Sequence, residues 1–412
     1  MNAAVPGAYG APAGPYPYQR LARPMHRTSV GKWLIGAAAA GFVGLAGLVV
    51  VVLLGLHYGP LLLLLFGLFA MFPVPILIGC AVWLSRFQPQ PWGARLFALG
   101  WGATISVLIA GYANDFLQSM LFGGDRTLAA VFAAPLDEES LKGLALLLIF
   151  ALSRTKRILP NAGRYFTGPL DGVAYALFVG AGFAFVENIT YLASAFMNGQ
   201  MQRGMASDGF FSLLLLFFVR CVLTPFGHPL FTSATGIALG FAARSNINIV
   251  IRVIAPVGGW MVAMMLHGFF NGSQAFVPSG LAGLVIEFTV VLPPVFLVWV
   301  AVVLFLRYNQ FRIVRRGLDG YVRSGWFSPA DVDQLASLKG RGVAIRWAKN
   351  AGGSEAGAAM RELQSASTQL AIARDAVNHG YHRNTFAADE SRLLGIIGWQ
   401  QQFLRRYRRV PV

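Results

Sequence analysis

Charge is scarce in this chain and cysteine is nearly absent. Charged residues make up 12% of the 412-residue sequence, about half of what a soluble domain carries, which excludes an ordinary water-soluble globule. The two cysteines, Cys80 and Cys221, both lie inside apolar runs, so neither a disulfide framework nor a cysteine-based metal site is available. Acidic residues are also few, 17 against 33 Lys and Arg, for a net charge of +16. That excess gathers in flanking segments and in the tail, so it is not read as a nucleic-acid footprint. Residues 1–32 have no apolar core of the signal-peptide kind. Rich in Pro, Gly, Ala and Tyr, they read as a disordered cytoplasmic arm.

Apolar runs fill most of the remainder, with 56% hydrophobic residues. A helix needs roughly 20 apolar residues to cross a bilayer. The runs Trp33–Leu56, Pro60–Leu84, Leu96–Asn114, Thr127–Ser153, Leu170–Phe196, Phe210–Ala243, Val250–Asn271 and Leu281–Leu306 meet that length. The sequence therefore predicts an all-α, polytopic transmembrane helix bundle of about eight spans over residues 33–306. With the N-terminus inside, the inner segments collect Arg20, Arg23, Arg27, Lys32, Arg86, Arg95, Arg154, Lys156, Arg157, Arg164, Arg244 and Arg252, while the outer loops hold only Arg126 and Arg203. That asymmetry predicts an N-in, C-in orientation. The sixth run is longer than one straight crossing and contains Pro225 and Pro229, which imply a break.

Residues 307–412 change character and read as a small, basic, helical cytoplasmic domain. Ser328-Pro329 is a helix start with a first-turn proline, and Gly380 is a stop for a helix from about Glu355. Arg405, Arg406, Arg408 and Arg409 follow an apolar patch at Leu393, Leu394, Ile396 and Ile397. This end is either a solvated basic helix terminus or a contact with the anionic inner leaflet of the lipid bilayer.

Against that apolar background the ionisable groups at membrane depth stand out. A charge near the bilayer centre costs on the order of 3 kcal/mol, so charges on separate helices persist by facing one another. On the fourth span Glu138 and Glu139 lie four and three residues before Lys142, within reach of its ammonium. Two adjacent carboxylates do not both ionise cheaply in a low dielectric, so Lys142 holds one while the other is poised to exchange a proton with water. Pro135 upstream disturbs the helix ladder and leaves carbonyls without partners. On the fifth span Gly180, Gly182 and Ala184 allow close helix approach before Glu187, Asn188 and Tyr191. On the sixth, Arg220, Thr224, His228 and Thr232 repeat every four residues; Arg220 is expected as counter-ion to Glu287 or Glu187, and His228 as a base, an oxyanion donor or a metal ligand. On the seventh, His267 and Asn271 offer imidazole and carboxamide one turn apart, suited to an oxyanion hole or to a ligand with its orienting neighbour. Counted from the outer ends, Glu138 and Glu187 lie roughly 13–17 Å deep, whereas a straight helix from Phe210 sets His228 roughly 27 Å down.

The set Glu138-Glu139-x-x-Lys142, Gly182-Phe183-Ala184-Phe185-Val186-Glu187-Asn188, His228-Pro229-Leu230-Phe231-Thr232 and His267-x-x-x-Asn271 resembles the PrsW family of intramembrane proteases, which is distantly similar to the type II CAAX prenyl endopeptidases. The resemblance covers roughly residues 60–306. It departs from the CAAX-type pattern at Glu187, where those relatives carry histidine, and at Lys142, where they carry arginine one residue further on. It implies proteolysis of a single-span membrane protein in or near its membrane segment, with anti-sigma-factor-like substrates, in the bacterial plasma membrane. Two mechanisms follow. Without metal, Glu138 or Glu139 activates water, Lys142 tunes the pair, and His267 with Asn271 stabilises the oxyanion. With Zn²⁺, the ligands are Glu187, His228 and His267 and a fourth-span glutamate is the base, although no HExxH motif is present. The competing class is a proton- or ion-coupled transporter built on the same Glu/Lys/His cluster, disfavoured by the lack of an inverted repeat between the two halves.

Overall fold

The computed structural model describes residues 30–154, 166–203, 205–243, 248–273, 277, 281–378 and 383–407. The N-terminal arm up to residue 29, the expected stop at Gly380, and Lys156, Arg157, Arg164, Arg244, Arg408 and Arg409 lie outside them. The chain divides into two compact units, one of Ser29–Arg307 and one containing Tyr308–Val412.

The first unit holds α1 (Val30–Tyr58), α2 (Pro60–Met71), α3 (Val74–Leu84), α4 (Trp92–Trp101), α5 (Val107–Phe122), the single turn α6 (Arg126–Leu128), α7 (Ala134–Arg154), α8 (Pro169–Arg203), α9 (Ala206–Phe217), α10 (Gly227–Ala242), α11 (Ile249–Gly272) and α12 (Leu281–Ile286). It also holds the start of α13 (Leu292–Arg323). Four π-helical turns, Gly102–Ser106, Ala129–Ala133, Phe218–Leu223 and Glu287–Val291, interrupt these rods. Among the described residues seven helical segments are long and apolar enough to cross a membrane. They coincide with seven of the eight apolar runs read from the sequence. The eighth is α7, a 21-residue helix that carries Asp137, Glu138, Glu139 and Lys142 and so fails as an apolar span on composition.

α8 is the centre of the bundle, with 94% of its apolar window buried against 6% for α1. A helix buried on every side must let its neighbours' backbones come close, and glycine makes that possible. A Cβ on Gly172 of α8 would collide with the carbonyl of Gly236 on α10, and one on Gly182 with the carbonyl of Leu99 on α4. α4 and α10 therefore clasp α8 at backbone contact distance. α7 packs against α10 and α11, and Trp101 Nε1 donates to its Leu141 carbonyl at 3.0 Å while Trp260 Nε1 donates to Ser140 Oγ at 3.1 Å. These bonds anchor both sides of the polar helix.

In the second unit Ser328 caps α14 (Pro329–Leu335) through a capping box with Asp331, the start expected from Ser328-Pro329. α15 (Leu338–Asn378) bends at Gly352 and Gly353, the latter at φ +67°, so its second half begins at the expected Glu355. α16 is Arg383–Arg405. Leu393 and Ile397 are buried within this unit and form part of its core, while Arg405 and Arg406 are exposed.

Gly236→Leu is expected to lower the thermal midpoint of the purified protein by the equivalent of about 1–3 kcal/mol, the usual overpacking range. Gly36→Leu on α1, where a Cβ meets nothing within 4 Å, should leave the midpoint unchanged.

Candidate active site

α7, α8, α10 and α11 bring their polar residues to one cluster. Lys142 is fully buried, and its Nζ lies 2.6 Å from Glu139 Oε1 and 3.3 Å from Glu138 Oε2. The i,i+3 and i,i+4 spacing thus delivers both ion pairs, and the ammonium also lies 4.3 Å from the centroid of the Phe183 ring.

Glu139, also fully buried, is held at both oxygens. Oε1 takes Lys142 and the Nδ1–H of His267 at 3.1 Å, and Oε2 accepts from Thr232 Oγ1 at 2.8 Å. A carboxylate only accepts, so His267 presents the lone pair of Nε2 on its other side, 3.9 Å from Glu138 Oε2. Phe231 stacks on the His267 ring at 4.8 Å between centroids.

His228 is constrained from both sides. Its Nε2 donates to Glu187 Oε2 at 2.7 Å, and its Nδ1 accepts from Lys142 Nζ at 3.1 Å. An ammonium only donates and a carboxylate only accepts, so the tautomer follows: hydrogen on Nε2, lone pair on Nδ1. That lone pair lies 3.9 Å from Glu138 Oε2. One ligand atom each of Glu138, His228 and His267 lies within 4.8 Å of the others.

The depth count that separated His228 from the other groups assumed a straight rod, and the helix is not straight. α9 ends in the π turn Phe218–Leu223, Thr224 leaves helical geometry at φ −121°, ψ 35°, Pro225 follows, and α10 restarts at Gly227. His228 therefore sits in the first turn of a new helix. Of the four-residue stripe, Arg220 reaches Glu187, His228 and Thr232 reach the cluster, and Thr224 turns its hydroxyl back to the Val219 carbonyl.

Three of the expected residues take definite partners. Glu187, read as a metal ligand beside the histidines, bonds Arg220 and His228 Nε2, and the carboxylate that lies with both imidazole lone pairs is Glu138. Arg220 pairs with Glu187 and not with Glu287, whose Oε1 accepts from Ser273 at 2.5 Å. Asn271 donates from Nδ2 to the Ala130 carbonyl at 2.8 Å, and no hydrogen bond among the described residues joins it to the carboxylates. The reason is local. In the π turn Ala129–Ala133 the carbonyl of Ala130 would be served by the N–H five residues on, and that residue is Pro135, which has none.

The sequence reading also passed over Asp137. It is 7% exposed with neither carboxyl oxygen hydrogen-bonded, and the run of three acids was its one signal. The aromatic walls, Phe183 and Phe231, stand inside the quoted motifs but have no role assigned there.

Thr232→Val removes one of three groups holding Glu139 and is expected to lower cleavage about 10-fold, the lower end for a residue supporting a reacting shell. Thr232→Ser should restore it. An unaffected Val variant would show that Lys142 and His267 alone fix Glu139.

The stretch that carries this cluster is similar to known proteins. Residues 90–306, more than half of the chain, match the profile of the PrsW family intramembrane metalloproteases. The protease PrsW of Clostridioides difficile (strain 630) is 34% identical over 215 residues, which cover 50% of this chain and 77% of that protein. No solved structure matches. The matched stretch contains α7, α8, α10 and α11 with every residue of the cluster, and the chain belongs to the PrsW family of intramembrane proteases.

Proposed function

We propose that this multi-pass membrane protease of the bacterial plasma membrane cuts a single-span, anti-sigma-factor-like protein in or near its membrane segment, with Glu138 activating the water. The carrying observation is the convergence of Glu138 with the lone pairs of His228 and His267 within 4.8 Å. Glu139 has both oxygens committed, whereas Glu138 has only Oε2 engaged, by Lys142 at 3.3 Å. Glu138 is therefore the carboxylate with capacity to take a proton from water. The water oxygen adds to the scissile carbonyl carbon, the C–N bond breaks, and Glu138 returns the proton to the departing amine. Lys142 is the nearest positive charge to the developing oxyanion, in a dry setting where its field acts at full strength. His228, Glu187 and Arg220 have side chains 12%, 15% and 18% exposed, and a substrate segment enters from that side.

A divalent metal is supported by a second observation, the orientation of the two imidazoles. Glu138, His228 and His267 form the two-histidine, one-glutamate donor set of catalytic zinc sites. The outward nitrogens of both rings are held by carboxylates, Glu187 for His228 and Glu139 for His267, the usual support for ligating histidines. Bound there, Zn²⁺ would polarise the carbonyl and acidify water, and Glu138 would serve as its ligand in place of acting as the free base. Lys142 would then give up its contact with His228 Nδ1 and keep Glu139.

Glu138→Gln is expected to lower cleavage of a co-expressed single-span substrate by about 10²–10⁴-fold, the range for a general base, and Glu139→Gln by about 10–100-fold as a supporting group. Undiminished cleavage by Glu138→Gln overturns the assignment. Chelator treatment of the purified protease should abolish activity and added Zn²⁺ should restore it. Full activity in a metal-free sample ends the metal reading and leaves Glu138 acting alone.

A further inference from the structure

Arg220 lies one residue layer outside the proposed site. Its Nε donates to Asn188 Oδ1 at 2.7 Å, its Nη2 donates to Glu187 Oε2, and its guanidinium carbon lies 3.9 Å from the centroid of the Tyr191 ring. Asn188 is itself tied, its Nδ2 directed to Cys221 Sγ at 3.5 Å on the residue after Arg220. Glu187, Asn188 and Tyr191, on one side of α8, thus cradle one guanidinium, and a planar fork stacked on an aromatic ring has little freedom to turn. Its position depends on the π turn Phe218–Leu223, which carries it ahead of the break at Pro225.

The same carboxylate oxygen that receives Arg220 receives His228: Glu187 Oε2 is bonded to Nη2 of the first and to Nε2 of the second. We infer that Arg220 is a positioning residue for hydrolysis: by locking Glu187 in one rotamer it holds the His228 ring with Nδ1 turned toward Glu138. The chain of contact runs from Arg220 to Glu187 to His228, so Arg220 acts through another residue. Without the guanidinium, Glu187 loses the partner opposite His228 and is free to rotate. The Nε2 hydrogen bond then loosens, and Nδ1 no longer faces Glu138 at 3.9 Å. An Arg–Glu pair that served only to join α8 to the sixth span would not need to share an oxygen with an imidazole of the cluster.

This inference rests on the site proposed above, and its test separates the two. Full-length wild type, Arg220→Gln, Arg220→Lys, Glu187→Gln and the double variant Arg220→Gln/Glu187→Gln are reconstituted in lipid nanodiscs. kcat and KM are measured on a single-span substrate, and Zn²⁺ affinity by competition with a chromophoric chelator. Arg220→Gln is expected to lower kcat and Zn²⁺ affinity by about 10–100-fold, as for other residues that orient a ligand, with KM unchanged. Because both side chains act through one path, the double variant should be no worse than Glu187→Gln alone, and Arg220→Lys should recover part of the loss. Additive effects in the double variant, or a folded Arg220→Gln with wild-type kcat, overturn the inference. Absence of Zn²⁺ binding by wild type removes the metal reading only, since non-additivity in kcat still decides the role of Arg220. Retained cleavage by Glu138→Gln would strike the site itself.

Discussion

One buried ammonium organises this protease. Lys142 is removed from solvent and lies within hydrogen-bond distance of Glu138, Glu139 and His228. Its desolvation is large, and it is offset only because two carboxylates on its own helix and an imidazole from α10 meet it. Each of those groups in turn needs the others. Glu139 requires donors at both oxygens, which fixes His267 and Thr232, and His228 requires an acceptor for Nε2, which fixes Glu187 and then Arg220. Breaking such a buried network at one member leaves a charge without compensation, at a cost of about 3–5 kcal/mol. Four helices are thereby held at one point.

The apolar part of the structure serves that point. α8 accepts neighbours at backbone distance through Gly172 and Gly182, so α4 and α10 can close on it, and His228 of α10 comes into register with Phe183 and Glu187 of α8. Helix irregularity does the rest. The π turn before Pro135 leaves the Ala130 carbonyl for Asn271, and the break at Pro225 lets Arg220 and His228 approach the same carboxylate from either side of an interruption. π turns accumulate at sites where a side chain must be re-aimed. Here two of the four π turns among the described residues end five residues before a member of the cluster, Glu138 and His228.

Hydrolysis inside a bilayer needs polar atoms that are satisfied at rest yet able to receive water. Glu139 and Lys142 meet the first need, and under the proposed function Glu138 meets the second. The partial exposure of His228, Glu187 and Arg220 lies on one flank, so the least buried members of the cluster are also those whose orientation depends on the longest chain of contacts. Local order on that flank is coupled to the geometry of the reacting groups.

The membrane bundle was legible in composition and in the spacing of apolar runs, because hydrocarbon imposes one length and one polarity on every crossing. So was most of the cluster. Glu138, Glu139, Lys142, Glu187, His228 and His267 are conspicuous because charge has few reasons to occur at that depth. Spacing along α7 sufficed for the Lys142 ion pairs, since a helix sets i,i+3 and i,i+4 contacts by itself. The tertiary structure decided which groups of different helices share a partner. Glu138 in place of Glu187 faces both imidazole lone pairs, Asn271 goes to Ala130, Arg220 takes Glu187, and His228 reaches the site despite its count along the chain. Those outcomes turn on two breaks in helical register, after Pro225 and before Pro135. A proline announces that a helix is disturbed there, but the direction the chain then takes is set by the packing of α8, α10 and α11 around it.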